Sequence, residues 1–318
     1  MENEKIAIVG AGVAGLLLAR ELKAAGRDVV VLEKSRGLGG RLATKRVEAA
    51  VFDQGAQYFT AQTARFAELV AAWRDRGVVT QWPGASAHRW IVRPSMNAIG
   101  RVLAEGLEVN REAKVLSVRR DRAEWEIAIE GQAALRTGQL ALTAPTPQAL
   151  ALLVAGGVEL PAELTAGLAA LQYHSCLALL VTLDGPSAVP PVGIAFATGP
   201  VRWLADNRKK GISSGANAAV TVHLNPEFSA KHYAKTEAEL APLVLPGIAE
   251  QLGAPVTGVA LHRWKFSEPS ATFSEPCVWR PKLGLGLAGD AFGGPRVEGA
   301  AVSAWALADK ILGEPEDA

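Results

Sequence analysis

Three glycines and one acid near the start of the 318-residue chain have the types and spacing to hold a pyrophosphate and a ribose. Gly10, Gly12 and Gly15 follow the apolar run 6–9, and Glu33 stands about twenty residues further on. In a strand-turn-helix setting Gly10 makes the tight turn and Gly12 lets the backbone approach the pyrophosphate. Gly15 then lets the following helix lie close on the sheet. That helix would turn unpaired N–H groups and a partial positive charge toward the phosphates. Glu33 can take both hydroxyls of an adenosine ribose and would repel a 2′-phosphate, so the pattern suits FAD or NAD better than NADP.

Such residues need a βαβ frame, and the pattern supplies one. Strands are predicted over 6–9 and 28–33 on either side of a helix over 13–25 that Gly26 closes. A glycine-rich basic loop occupies 34–41. Beyond it, 63–76 has the apolar spacing of an amphipathic helix, with Phe66, Leu69, Val70 and Trp73 on one face. Residues 83–89 read as a loop. Alternation over 113–120, 125–129 and 139–144 predicts a meander attached to the nucleotide sheet, and Pro145 and Pro147 then punctuate the chain. Residues 149–269 mix helices with strands over 175–183, 201–206 and 218–224, most of a second domain. A strand over 283–288 ends at Gly289 and Asp290, a Gly293-Gly294-Pro295 loop follows, and a helix is expected over 297–312 before a polar tail at 314–318.

Size and composition narrow the class. The chain exceeds one average domain, so two closely packed domains with a substantial core are expected. Lysine and arginine total 33 against 32 aspartates and glutamates, a balance that proposes neither a nucleic-acid nor a membrane partner. The apolar start is one strand long, lacks a basic leader and is not expected to be a signal peptide. No stretch approaches a membrane span. Cys176 and Cys277 form no CxxC pair, which argues against a metal site or a dithiol centre and fits a reducing cytoplasm with two buried free thiols.

A lone GxGxxG is weak evidence, and this chain contains a second match over 284–289. Those glycines lie within an apolar strand, without the strand-turn-helix context, so they are rejected as a nucleotide site. The arrangement of both ends of the chain discriminates better. A first βα unit, a Gly-Gly-Arg loop, and a late strand ending in Gly-Asp before a helix begun by Val297, Glu298, Gly299 and Ala300 together resemble the two-dinucleotide-binding flavoproteins. There the late aspartate contacts the ribityl-pyrophosphate part of FAD and the last helix faces the flavin pyrimidine. A helix N-terminus would stabilise the negative charge of a reduced flavin at that place. The expected class is therefore α/β, a Rossmann-like FAD-binding domain over 1–59, 98–150 and 275–318, with an α+β substrate domain over 60–97 and 151–274.

Five further segments, 34–41, 53–60, 202–208, 262–264 and 296–300, resemble the renalase family within the wider amine-oxidase-like group. They occur in the expected order over almost the whole chain. The Gly-Ala-Gln-Tyr-Phe-Thr run at 55–60, Asp206-Asn207-Arg208 and His262-Arg263-Trp264 are the more specific of these. The resemblance implies a noncovalent FAD, and a substrate that is a 2- or 6-dihydro isomer of NAD(P)H, oxidised to β-NAD(P)+ with electrons passed to O2. It places Gly10, Gly12, Ala14 and Gly15 on the pyrophosphate, Glu33 and Lys34 at the ribose, and Val115 at the adenine. Arg41, Ala56 and Gln57 would approach the flavin, with Asp290, Val297 and Glu298 at its ribityl and ring end. Cys277 does not match the segment from which covalent amine oxidases present a thiol.

A dihydropyridine is poised to lose hydride because the product regains aromaticity, and flavin N5 is the acceptor, so no side chain is assigned as catalytic. Oxidising a protonated amine also requires loss of a proton. The sequence offers no evident acid/base constellation, which favours the nicotinamide substrate over the alternatives, a small amine or a flavin electron-transfer role without turnover of its own. Tyr58, Thr60, Trp203, Asn207, His262 and Trp264 are placed around the substrate. Core packing competes for the two tryptophans and a structural hydrogen bond for His262. Lys209 and Lys210 read as solvated surface, and Asp53 as a turn residue that positions Gly55.

Overall fold

A computed structural model describes residues 5–85 and 88–313; the polar tail at 314–318 and part of the loop at 83–89 lie outside the described residues. The chain divides into two compact units, one of 1–40, 99–172 and 268–318, the other of 41–98 and 173–267. Relative to the expected bounds, 41–59 and residue 98 fall in the second unit and 151–172 and 268–274 in the first.

The first unit is built on a six-stranded sheet in the order Val278–Arg280, Leu285–Leu287, Gln139–Leu142, Ile6–Val9, Val29–Glu33, Glu108–Arg111. All neighbours run parallel except the outermost pair, Val278–Arg280 and Leu285–Leu287. The central strand Ile6–Val9 is wholly buried, as is Val29–Glu33, which explains their unbroken apolar runs. From Ile6–Val9 the chain crosses first to Val29–Glu33 on one side and later to Gln139–Leu142 on the other. Such a reversal opens a crevice at the carboxyl ends of the strands, where nucleotides bind in doubly wound sheets. The helices Val13–Ala24 and Val297–Leu312 bury Leu16, Leu17 and Leu22, and Ala304, Leu307 and Ile311, in this unit's core, and Trp305 Nε1 donates to Glu21 Oε1 at 3.0 Å.

One expectation is corrected. The strand read over 139–144 is not the last of a meander but the parallel neighbour of Ile6–Val9. The meander is a separate antiparallel sheet of Val115–Asp121, Glu124–Ile129 and Leu135–Thr137. Its third strand is only three residues long and follows a Gly131 turn, too short for alternation to reveal.

The second unit holds a five-stranded sheet ordered Ile194–Ala195, Val201–Asp206, Ala219–Leu224, Tyr173–Leu183, Val256–Pro269. Side chains alternate across it. Leu177, Leu179, Val181, Val220 and Val222 meet Leu240, Val244, Ile248 and Leu252 on one face. Leu180 and Ala219 meet Phe52 of the Ala50–Asp53 strand on the other. That second face is also where Thr221 and His223 point, and it positions the site residues described next. The amphipathic helix is Ala64–Asp75, with Phe66, Val70 and Trp73 buried.

Candidate dinucleotide and substrate sites

At the carboxyl end of Ile6–Val9 the three glycines do different work. Gly10 has φ +112°, and a Cβ there would sit 2.8 Å from Thr143 Oγ1. A Cβ at Gly15 would lie 1.9 Å from the Gly10 carbonyl oxygen, whereas at Gly12 it would meet nothing within 4 Å. Gly15 therefore serves close packing, and Gly12 leaves open space above the first turn of the Val13–Ala24 helix. That helix starts with no side-chain cap and no acid in its first turn, so its N–H groups keep their positive end exposed to a ligand. The loop at 34–40 returns over this turn: Gly39 N donates to Ala11 O at 2.8 Å.

Glu33, buried at the end of its strand, accepts from Ala11 N at 2.9 Å through Oε2 and from Ser35 N at 2.8 Å through Oε1. Each carboxylate oxygen keeps a lone pair for a ribose hydroxyl. Ala113 N donates to Glu33 O at 2.9 Å, which brings the strand beginning at Val115 beside this acid. Lys34 is exposed next to it and Ala14 is buried in the helix. At the neighbouring strand ends, Thr143 Oγ1 donates toward Val9 O and Gly10 O, and Gly289, before the buried Asp290, donates to Ser303 Oγ at 2.9 Å. The Val297–Leu312 helix begins after Arg296, whose φ of +97° is in the region non-glycine residues avoid. Its first turn carries Val297, buried, and Glu298, half-buried, and Gly299 there admits no side chain because a Cβ would lie 1.7 Å from Gly294 O. The open space at Gly12, the uncapped helix and the oriented Glu33 fit a dinucleotide with a free adenosine ribose.

The remaining expected residues, Arg41, Ala56, Gln57, Tyr58, Thr60, Trp203, Asn207, His262 and Trp264, all lie in the second unit. Arg41 O accepts from Ala56 N at 3.0 Å, its guanidinium donates to Ser267 O, and a Cβ on Gly55 would lie 1.9 Å from that same Arg41 oxygen. Segments distant in sequence converge on 53–60. Trp264 Nε1 donates to Gln54 O at 3.0 Å, as does His223 Nε2, and the His262 and Trp264 rings are 4.3 Å apart. Tyr58 lies 5.7 Å from Trp82 and 5.8 Å from Trp203, with the Arg89 guanidinium 4.6 Å over the Tyr58 ring. Thr60 is half-buried just beyond.

Three expectations change here. Asn207 does not face a substrate: fully buried, it accepts from Asp53 N at 3.0 Å and donates to Ala219 O and Thr221 Oγ1, both at 2.9 Å, which uses its donors within the unit. Lys210 is not on a solvated surface but 0% exposed, its Nζ 3.0 Å from Asp53 Oδ2 and 2.9 Å from Gln57 O. Lys209 is half-buried and donates to Ser187 O and Val189 O. Asp53 is accordingly the charged partner in a buried pair as well as a residue beside a turn. Of the two cysteines, Cys277 is buried and Cys176 half-buried.

His223 was not singled out by the sequence, although period-two alternation from Val220 and Val222 would have placed it with Thr221 on the opposite face. Burial holds its pKa down to about 4, with Lys210, Arg202 and His262 adding like charge and the Gln54 carbonyl opposing. His262 is also lowered, by burial and then by Lys45. Both imidazoles are neutral at pH 7, and the donation from His223 Nε2 leaves Nδ1 as an acceptor. No group of three metal-ligating side chains and no helix long and apolar enough to cross a membrane occurs among the described residues.

Comparison with known proteins places this geometry. A family model described as an NAD(P)-binding Rossmann-like domain matches residues 8–73. A solved chain from Exiguobacterium sp. 255-15, named for protoporphyrinogen oxidase, superposes with a TM-score of 0.76 over 99% of this chain and 100% of its own, at 14% identity. Putrescine oxidase bound to putrescine superposes at 0.71 over 98% and 99%, also at 14% identity. The fold is shared with these two oxidase chains. A fatty acid isomerase from P. acnes shares it, with a TM-score of 0.72 over 98% and 99% at 12% identity, so the fold does not fix the reaction. Among curated sequences, putrescine oxidase of Kocuria rosea is 43% identical over 65 residues, 20% of this chain and 14% of its own. Protoporphyrinogen oxidase 2 of Arabidopsis thaliana is 33% identical over 95 residues, 29% of this chain. The chain spans only 14% and 18% of the lengths of these two relatives.

Proposed function

We propose that the chain is an FAD-dependent oxidoreductase that takes hydride from a 2- or 6-dihydro isomer of NAD(P)H. The net reaction consumes the dihydro isomer, O2 and one proton and yields β-NAD(P)+ and hydrogen peroxide. The observation that carries this reading is the convergence of 53–60, 202–208 and 262–264, the segments that resemble renalases, into one hydrogen-bonded and aromatic cluster of the second unit. FAD, when bound, supplies the two-electron acceptor. Glu33 would hold its ribose, Gly12 and the helix start its pyrophosphate, and Asp290, Val297 and Glu298 its flavin end. Tyr58, Trp203 and Trp264 offer aromatic faces against which a planar dihydropyridine can be oriented. Loss of hydride from such a ring needs no proton abstraction, and the neutral imidazoles of His223 and His262 add no cation to oppose the positive charge developing on it.

Anaerobic rapid mixing of the FAD-loaded protein with 2-dihydro-NAD, 6-dihydro-NAD, α-NADH and β-NADH tests this. The flavin band should bleach fast with the dihydro isomers and slowly with β-NADH. No bleaching at saturating isomer would remove the reading. The match to putrescine oxidase favours a second reading, oxidation of a small amine, and bleaching by an amine panel instead would establish it.

A further inference from the structure

The five-stranded sheet of the second unit has two unlike edges. One is the two-residue strand Ile194–Ala195, too short to template another strand, which is a common way of blunting an edge. The other is Val256–Pro269, fourteen residues long, with Tyr173–Leu183 as its one neighbour in the sheet. Alternate residues of an edge strand turn their N–H and C=O groups outward, and natural edges of this length are protected by charge, proline or a cover. From Val256 to Leu261 this edge has neither a charged residue nor a proline, His262 next to them is neutral at pH 7, and Val256 and Thr257 are exposed.

An apolar groove opens where this strand begins. Ala238, Ala241, Leu245, Ala249 and Leu252 line it together with Val256, which belongs to both the groove and the edge. Charge is sorted between the ends of the uncharged run. At its start stand the exposed Asp184, whose N donates to Pro255 O at 2.8 Å, and the exposed Glu250 of the short helix Ala249–Leu252. At its finish stand the exposed Arg263 and Lys265. No ion pair holds Asp184, Glu250 or Lys265 among the described residues. A strand with an acidic end, an uncharged middle and a basic end is complementary to its own antiparallel copy, because a two-fold axis brings each basic end against the other's acidic end. A parallel copy would set like charges together. We propose that the occupant of this edge is a second copy of the chain, paired antiparallel over 256–262 across a two-fold axis near Val259. Lys265 of each copy then meets Glu250 of the other, and the groove beside Val256 is covered. A strand pairing this short makes a weak dimer, with a Kd on the order of 10 µM, rather than an obligate one.

Sedimentation equilibrium of the full chain from about 1 to about 200 µM tests this. The wild type should pass from monomer to dimer across that range. Val256→Lys with Thr257→Lys changes two exposed positions and should abolish the dimer, with a near wild-type urea midpoint showing that the variant is folded. Glu250→Lys alone and Lys265→Glu alone should each raise the Kd about tenfold, because a two-fold interface contains the pair twice. The two reversals together should return the Kd to within about twofold of the wild type, an outcome that a general loss of surface charge would not produce. A wild type that stays monomeric throughout the range overturns the proposal, and so does capture of this edge by a different protein while the chain itself stays monomeric. A dimer that survives the lysine pair overturns this edge as the interface. Failure of the double reversal to restore association overturns the antiparallel arrangement.

Discussion

At the scale of single residues, Gly12 and Gly15 lie three positions apart and make opposite predictions. Gly15→Ala forces a Cβ against the Gly10 carbonyl and should cost about 1–3 kcal/mol, read as a lower urea midpoint. Gly12→Ala meets open space and should keep the midpoint within about 0.5 kcal/mol of the wild type, yet weaken FAD in a fluorescence titration because the methyl enters the pyrophosphate's place. His223 gives a pH signature. Its folded pKa of about 4 lies below the unfolded value near 6.5, so the unfolded chain binds more protons between those limits. Stability should therefore fall as pH drops from about 6.5 to about 4, by up to roughly 3 kcal/mol. Urea midpoints across that window should slope upward with pH in the wild type and flatten in His223→Phe.

Elements show where sequence reading succeeds and where it stops. The Val13–Ala24, Ala64–Asp75 and Val297–Leu312 helices were legible because each has its own apolar stripe and end signals. So were the strands Val201–Asp206 and Ala219–Leu224. Local alternation reveals the Gln139–Leu142 strand but says nothing about which strand it pairs with. The nucleotide half of the site was legible because its chemistry lies in one short run from Gly10 to Glu33. The places of Lys210 and Asn207 are not legible in the sequence because what satisfies them, Asp53, is 157 and 154 residues away. The Glu237–Val244 helix opens with a capping box in which Thr236 and Glu239 exchange hydrogen bonds. Thr236→Ala should lower stability by about 1 kcal/mol, measured by thermal unfolding, and leave flavin reduction unchanged because the helix packs on the sheet face opposite His223.

For the whole molecule, ligand linkage is the relevant quantity. A cofactor that binds only the native chain adds about 2.7 kcal/mol at a free concentration one hundred times its Kd. Thermal unfolding should thus shift upward with added FAD, and Glu33→Ala should reduce that shift while leaving the FAD-free transition near its wild-type position. The same fold carrying oxidases and an isomerase means that such a shift identifies the cofactor and not the reaction.

The order of strands in the six-stranded sheet has a consequence for biosynthesis. Ile6–Val9 is made well before its neighbour Gln139–Leu142, which comes more than a hundred residues later, and the next, Leu285–Leu287, comes later still. At ribosomal speeds of about 5–20 residues per second, the nascent sheet stays open along that flank for roughly 15–60 seconds. During that interval apolar strands wait with unpaired backbone, so the growing polypeptide should be a substrate for holding chaperones until Leu285–Leu287 has been translated.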